Sequence, residues 1–350
     1  MKIKPWRATS IQMKSQRAVD APDNNAARAV IEANIAHFTD MVLAACNSAQ
    51  RPDLVLFPEF GMQGPPLEMP VADWIERACD TIPGWQTAPL QALAREQGIF
   101  IAGNMFEKDP KWPGRYFNTS FLIDKAGEVV AIYKRINTAA FPSPHDFLDA
   151  YLAETPLSEV FPVVETELGR LCLIPCGEIN VPEVARIMMM QGAEVILHPT
   201  NSKKSAMQEA TKRARAAENM AYLVSANVAG NIGFSRDPSV MGGRSEIIDY
   251  RGNTICLLEG PEESISVSAM IDVEALRAER RADTTTHNPI IRNRFEAYAP
   301  FYAAARGYPA NGFLKAPMNS VSETAGLLEQ TISHLEATRV LQPKLDPQDA

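Results

Sequence analysis

The chain has 350 residues, 46% of them hydrophobic and 22% charged, with a formal charge of −8 at pH 7. That length admits one large α/β domain or two ordinary ones, and an acidic balance with no basic stripe argues against nucleic-acid binding. Five scattered cysteines (Cys46, Cys79, Cys172, Cys176 and Cys256) lack a paired zinc spacing, which argues against a metal site and for a reduced, cytoplasmic setting.

The opening "MKIKPWRATSIQMKSQ" has no long apolar core, so no signal peptide is expected. No apolar run approaches the ~20 residues needed to span a bilayer, so no membrane partner is expected either. "ATSIQM" (8–13) reads as a first strand. Residues 25–48 place Ala, Ile and Val at helical spacing, predicting an amphipathic helix. "DLVLFPE" (53–59) is a short apolar run ended by a proline, the mark of a buried strand. A helix over 85–98 stops at a glycine, and a strand over 99–107 follows. Residues 116–137 read as a hairpin turning at Asp124 to Gly127. "GRLCLIPC" is another buried strand, followed by a helix over 182–193 that ends at Gly192. "EVILHPT" is a strand, 205–221 a long helix and "YLVSANVAG" a strand. Residues 244–259 form a second hairpin with Arg-Gly-Asn at its turn, and "SISVSAMIDVEAL" closes the set. Strand–helix alternation argues for α/β layers, and the hairpins argue for mixed sheets. Two packed sheets with helices outside would bury this many apolar strands. The segment after about residue 300 is rich in Ala, Pro and polar residues; it is expected on a surface or a partner subunit, its last ten residues mobile.

Three strand ends carry chemistry. Glu59, in "LVLFPEFG", follows an apolar strand at the end where α/β sheets bind ligands. An apolar approach raises a carboxyl pKa toward general-base work, although an exposed loop glutamate satisfies the same pattern. Cys176 ends "LCLIPC" ahead of a polar turn and a helix, where backbone N–H groups and a helix dipole stabilise thiolate. A buried structural cysteine is the competing reading, and Cys172, in mid-strand, is the inert comparison. Lys134 and Arg135 end "EVVAIYKRIN". A cation beside a thiolate stabilises an oxyanion, while a solvated pair at a hairpin end is the ordinary alternative. Taken together, an acid, a cation and a cysteine at three strand ends supply a base, a stabiliser and a nucleophile.

The blocks "LVLFPEFG", "YFNTSFLIDKAGEVVAIYKRI" and "LCLIPCGEINVPEVARIMMMQGAEVILHPTNS" resemble, in order, the three signature blocks of the nitrilase superfamily of carbon–nitrogen hydrolases. "RARAAENMAYLVSANVAG" and "GGRSEIIDYRGNTI" are similar to its later blocks, so the resemblance runs from about residue 8 to about 300. It implies a four-layer αββα sandwich that pairs into a homodimer or higher homo-oligomer, a Glu–Lys–Cys catalytic set, no metal and no organic cofactor. It places the domain at 1–305 and a C-terminal extension at 306–350, at a subunit interface or partly mobile. Glu59 matches the general base and Cys176 the nucleophile. Glu183 and Arg186 fall where family members carry supporting residues.

Two departures stand out. Laid ungapped on the family block, the catalytic lysine position falls on Arg135. Neighbours on a strand face opposite sides, so either a bulge rotates Lys134 into the site or Arg135 substitutes for it. Lys134 is the expected catalytic residue, because arginine hardly ever gives up a proton. The additional glutamate of many family amidases is missing from "NTAAFPSPHDF", leaving His145 and Asp146 as candidates to orient substrate, or as an ordinary loop pair. Glu178, in Cys-x-Glu, and Asn201 are further substrate-orienting candidates.

The loops "HPTNSKKS" (198–205) and "NIGFSRDPSVMGG" (231–243) are expected to shape the pocket mouth. There Lys203, Lys204 and Arg236 would favour an acidic substrate unless they are simply solvated. The expected activity is thiol-dependent hydrolysis of a small amide or carbamoyl compound through a Cys thioester. The alternatives are a nitrilase and a catalytically impaired binding protein of the same fold.

Overall fold

The computed structural model describes residues 2–203, 205–230, 242–282 and 288–343. Its strands are β1 (Trp6–Gln12), β2 (Leu54–Leu56), β3 (Phe100–Lys108), β4 (Tyr116–Ile123), β5 (Val129–Lys134), β6 (Val163–Thr166), β7 (Gly169–Leu173), β8 (Val195–Thr200), β9 (Tyr222–Asn227), β10 (Ser245–Ile248), β11 (Thr254–Leu258) and β12 (Ser264–Ile271). Its helices are α1 (Asn24–Cys46), α2 (Val71–Arg77), α3 (Ala88–Gln97), α4 (Leu148–Glu154), α5 (Leu157–Val160), α6 (Pro182–Met190), α7 (Ala206–Glu218), α8 (Val273–Arg281), α9 (Phe295–Ala304) and α10 (Thr324–Ala337).

The strands form two six-stranded mixed sheets, β12-β1-β2-β3-β4-β5 and β11-β10-β9-β8-β7-β6. In each, a parallel centre (β1-β2-β3 and β7-β8-β9) is flanked by antiparallel strands. The sheets pack face to face through Leu54, Leu56, Ala102, Leu122 and Tyr133 on one side and Leu197, Val224 and Ile247 on the other. Helices cover the outer faces: α1 and α3 seat Ile31, Phe38, Val42 and Leu90 against Val55, Phe57, Ile101 and Phe121. This is the four-layer αββα sandwich expected from the alternation of strands and helices.

Local chemistry accounts for the element ends. Asp23 caps α1 by accepting from the Ala26 N–H, and Ser205 caps α7 by accepting from Gln208. Gly98 ends α3 at φ 61°, the left-handed conformation that glycine adopts without penalty. "SISVSAMIDVEAL" divides where it was read as one closing element. β12 stops at Ile271, and the Asp272 side chain caps the new helix α8 by accepting from Ala275.

The expectation about apolar length also needs correcting. α1 is long and apolar enough to cross a membrane by length and composition. In the fold its Ile31, Ile35, Phe38 and Val42 are buried on the first sheet, with the Phe38 ring 4.7 Å from that of Phe57. Beyond residue 306, the chain returns to the body. Asn311 N–H donates to His145 O (3.0 Å), Phe313 N–H to Asp146 O (2.8 Å), and Val71 N–H to Asn319 O (2.9 Å).

Phe57 is fully buried, and Gly103 of β3 lies directly beneath it, so an added Cβ would overlap the ring. Gly103→Ala is therefore expected to destabilise the fold by about 1–3 kcal/mol through overpacking, read as a lower Tm in thermal unfolding. An unchanged Tm would mean that the aromatic layer is looser than described.

Candidate active site

Glu59 follows β2, Arg135 follows β5, Cys176 follows β7 and Asn201 follows β8. β5 is antiparallel to β4, which is antiparallel to β3, so β5 runs the same way as β2; β7 runs with β8. The carboxyl ends of all four strands thus meet at one edge of the sandwich, as ligand sites in α/β sheets do. The link across the sheets is direct: the Asn201 N–H donates to Glu59 Oε2 at 3.2 Å.

Glu59 is fully buried. Its Oε1 accepts from Asn118 Nδ2 (2.8 Å) and from Arg135 Nη1 (3.3 Å), and its carboxylate neighbours the Cys176 thiol closely enough for the charge of each to bear on the other. Burial pushes its pKa above the ordinary glutamate value, against the pull of Arg135, the thiol and the two asparagines. Cys176 opens a short 3-10 turn, Cys176–Asn180, at φ 40°, a left-handed conformation costly for a residue with a Cβ. Its Sγ lies 3.7 Å from Asn201 O and 3.7 Å from Ser202 Oγ. Burial and the neighbouring Glu59 charge push the thiol pKa up, and Arg135 only partly offsets them. The resting group is therefore a thiol beside a carboxyl group, where the sequence pointed to a stabilised thiolate.

Lys134 does not reach this site. A bulge does occur in the β4–β5 pair, but it falls between the pairs Leu122–Ala131 and Ile123–Val129. From Ala131 onward the alternation is unbroken. Ala131 and Tyr133 face the space between the sheets, and Lys134 faces the other way. There its Nζ pairs with Glu107 (3.2 Å) and Asp109 (3.1 Å) and lies 5.5 Å from the Phe117 ring centre. A surface cavity of about 430 Å³ opens beside it, lined by Trp112, Tyr151 and Glu154, with neither Glu59 nor Cys176 in its wall. The cation at the site is Arg135, which stays charged because Glu59, Cys176 and Glu178 outweigh its burial. Gly177 leaves room for it: a Cβ there would stand 3.1 Å from Arg135 Nη2.

Three of the four orienting candidates also sit elsewhere than expected. Glu178 is fully buried and turned toward the end of β5, accepting from Tyr133 Oη, Ile136 N and Asn137 N. Asp146 is buried in a capping box with Ser143, and the His145 ring lies 5.9 Å from Tyr308. This pair anchors the 308–313 segment and does not face Cys176. Only Asn201 is at the site. Sequence reasoning missed Asn118, a buried polar residue in the apolar strand "YFNTSFLI", and its main-chain carbonyl accepts from Arg135 N at 2.9 Å. It also missed Thr200, which hydrogen-bonds Ser202, itself 3.7 Å from the thiol. Arg186 and Glu183 serve the scaffold, donating to Glu218 O (2.9 Å) and accepting from Tyr302 Oη (2.9 Å). Lys203 is described; Lys204, Arg236 and residues 231–241 of the second loop lie outside the described residues. Among the described residues no group of three or more His, Cys, Asp or Glu is placed to hold a metal ion.

A family profile described as carbon–nitrogen hydrolase matches residues 7–281. Formamidases of Bacillus cereus (strain B4264) and Bacillus thuringiensis (strain Al Hakam) are 26% identical over 207 residues, a span of 58% of this chain and 57% of theirs. The amidase from Nesterenkonia sp. AN1 superposes with a TM-score of 0.60 at 20% identity, covering 85% of this chain and 97% of that one. Nit3 of Saccharomyces cerevisiae, a member of branch 10 of the nitrilase superfamily, gives 0.62 at 19% identity over 81% and 96%.

The two neighbouring cations are expected to separate by experiment. Arg135→Met should slow alkylation of Cys176 by iodoacetamide at neutral pH about tenfold or more, one pKa unit being tenfold in thiolate. Lys134→Met should leave that rate near the parent value and cost about 3 kcal/mol of stability, because it strands the buried Glu107. The reverse pattern would return the site's cation to Lys134.

Proposed function

The chain belongs to the carbon–nitrogen hydrolase family, and from that premise we propose that it hydrolyses the carbon–nitrogen bond of a small, neutral amide or carbamoyl compound through a thioester on Cys176. The observation that carries this reading is the buried Glu59 carboxylate set beside the Cys176 thiol and ion-paired with Arg135. The names of the Bacillus formamidases and the Nesterenkonia amidase support an amide substrate.

The steps follow from the groups present. Glu59 takes the thiol proton as Cys176 Sγ attacks the carbonyl carbon. The oxyanion is held by the Arg135 guanidinium and the Gly177 N–H. Arginine hardly ever deprotonates, so proton movement falls to Glu59, which passes its proton to the departing nitrogen and releases ammonia or an amine. Water then gives a proton to Glu59 and attacks the thioester carbonyl. The second tetrahedral intermediate collapses to the acid, and the thiol is restored by the same carboxyl.

Charge favours a neutral substrate. One guanidinium is shared by two buried carboxylates, Glu59 and Glu178, so a further carboxylate beside the thiol would meet no spare cation in this set.

A screen of formamide, acetamide, carbamoyl compounds and nitriles for ammonia release is the test. Turnover of an amide is expected, with losses of about 10⁴-fold or more in Cys176→Ala and Glu59→Gln, since members of such a set act as a unit. Cys176→Ala retaining parent turnover would sink the scheme, and release from nitriles alone would make the protein a nitrilase. The acid limb of kcat/KM should lie above 4.5, the value of an unperturbed glutamate, because the base works only when ionised and burial raises its pKa. An acid limb at or below that value would exclude Glu59 as the base.

A further inference from the structure

We propose that Glu178, two residues after the nucleophile, is the positioning residue that holds Arg135 at Cys176, and that it makes no contact with substrate. The inference rests on Arg135 being the cation of the site and extends that reading to what keeps it there.

Three donors from one short stretch converge on the Glu178 carboxylate. Tyr133 Oη donates to Oε2 at 2.8 Å, and the N–H groups of Ile136 and Asn137 donate to Oε1 at 3.1 and 2.7 Å. Arg135 stands between them in the chain. Its own N–H holds the β4 ladder through Asn118 O at 2.9 Å, and its Nε donates to Asn137 O at 3.2 Å. Glu178 therefore grips the backbone on the carboxyl side of Arg135, and the residue so gripped, Asn137, supplies the carbonyl that sets the plane of the guanidinium. From that plane Nη1 reaches Glu59 at 3.3 Å, while Nη2 passes beside the bare Gly177.

The need for such a clamp follows from where β5 ends. Its last ladder residue is Lys134, and after Arg135 the chain turns away. A strand end held only on its β4 side can fray or slip, and a slip of one residue would exchange Arg135 for Lys134. A carboxylate is suited to the task because it accepts from several N–H and O–H groups at once. The direction of the side chain sets it apart from the reacting groups: both oxygens are turned to the β5 end, and the carboxylate hydrogen-bonds neither Glu59 nor Cys176.

The test is a double-mutant cycle read by the pH profile of Cys176 alkylation with iodoacetamide. Glu178→Asp keeps the charge and shortens the reach by one methylene. It is expected to slow alkylation about tenfold at neutral pH and move the profile upward, the consequence of a cation displaced from the thiol. In an Arg135→Met background the same change should have no further effect. Glu178→Gln keeps the reach and an accepting oxygen, and should stay within about threefold of the parent. Tyr133→Phe deletes one anchor without touching charge or backbone and repeats the cycle if Glu178→Asp does not accumulate folded. An equal slowing by Glu178→Asp with and without Arg135, or an unmoved profile in a folded Glu178→Asp, would overturn the proposal. Alkylation does not depend on amide turnover, so the two readings fail separately. Absence of any turnover with a non-additive cycle would leave the clamp standing, and an additive cycle in an active amidase would remove the clamp alone.

Discussion

Consecutive side chains of a β-strand face opposite sides, and at the end of β5 that alternation decides what chemistry this chain can do. Tyr133 and Arg135 turn inward to the side of Glu59 and Cys176, and Lys134 turns outward to Glu107 and Asp109. Two adjacent cations of the same charge thus have unrelated work. The outward one neutralises the buried Glu107 and the half-buried Asp109 behind the sheet. The inward one is the charge next to Glu59, which has been taken wholly out of water and would be costly there without a partner.

An arginine in this place changes the division of labour. A lysine ammonium both stabilises charge and exchanges protons, whereas a guanidinium does only the first. It offers in return a planar fork whose separate nitrogens meet Glu59 and the Asn137 carbonyl at once. In the scheme we propose, proton traffic then rests on Glu59, the carboxylate whose pKa burial has raised. Cys176 fits the same logic: its pKa is pushed up, so it rests as a thiol, and in the scheme we propose Glu59 takes its proton. The strained φ of 40° at Cys176 is the backbone cost of presenting the sulfur at a strand end.

Much of this was legible in the sequence, and the exceptions have physical reasons. Apolar runs closed by Pro58 and Pro175 marked the strand ends that present Glu59 and Cys176, and the order of the blocks brought them together. The ungapped family spacing already pointed to Arg135, while the chemistry of proton donation favoured Lys134. The outcome hung on where one bulge falls, and its place upstream of Ala131 is set by cross-strand packing that single-sequence patterns do not carry. The surroundings of Glu178 and of the His145–Asp146 pair were not legible for another reason. Their partners, residues 133–137 and 308–313, are distant in the chain, and burial, the deciding property, is a feature of the assembled sandwich. The helices α2, α4 and α5 are too short to show a period, and α9 carries Pro300 inside it. The cap at Asp272 was there to be read, and it would have separated α8 from β12.

The central claim is that acyl transfer passes through the Cys176 sulfur under the control of Glu59. Intact-mass and peptide-level mass spectrometry of acid-quenched enzyme, sampled during turnover of a small amide, measures this most directly. An acyl increment is expected on the peptide that bears Cys176, absent from Cys176→Ala and from Glu59→Gln. Steady turnover with no acyl increment, or an increment on another residue, would contradict it.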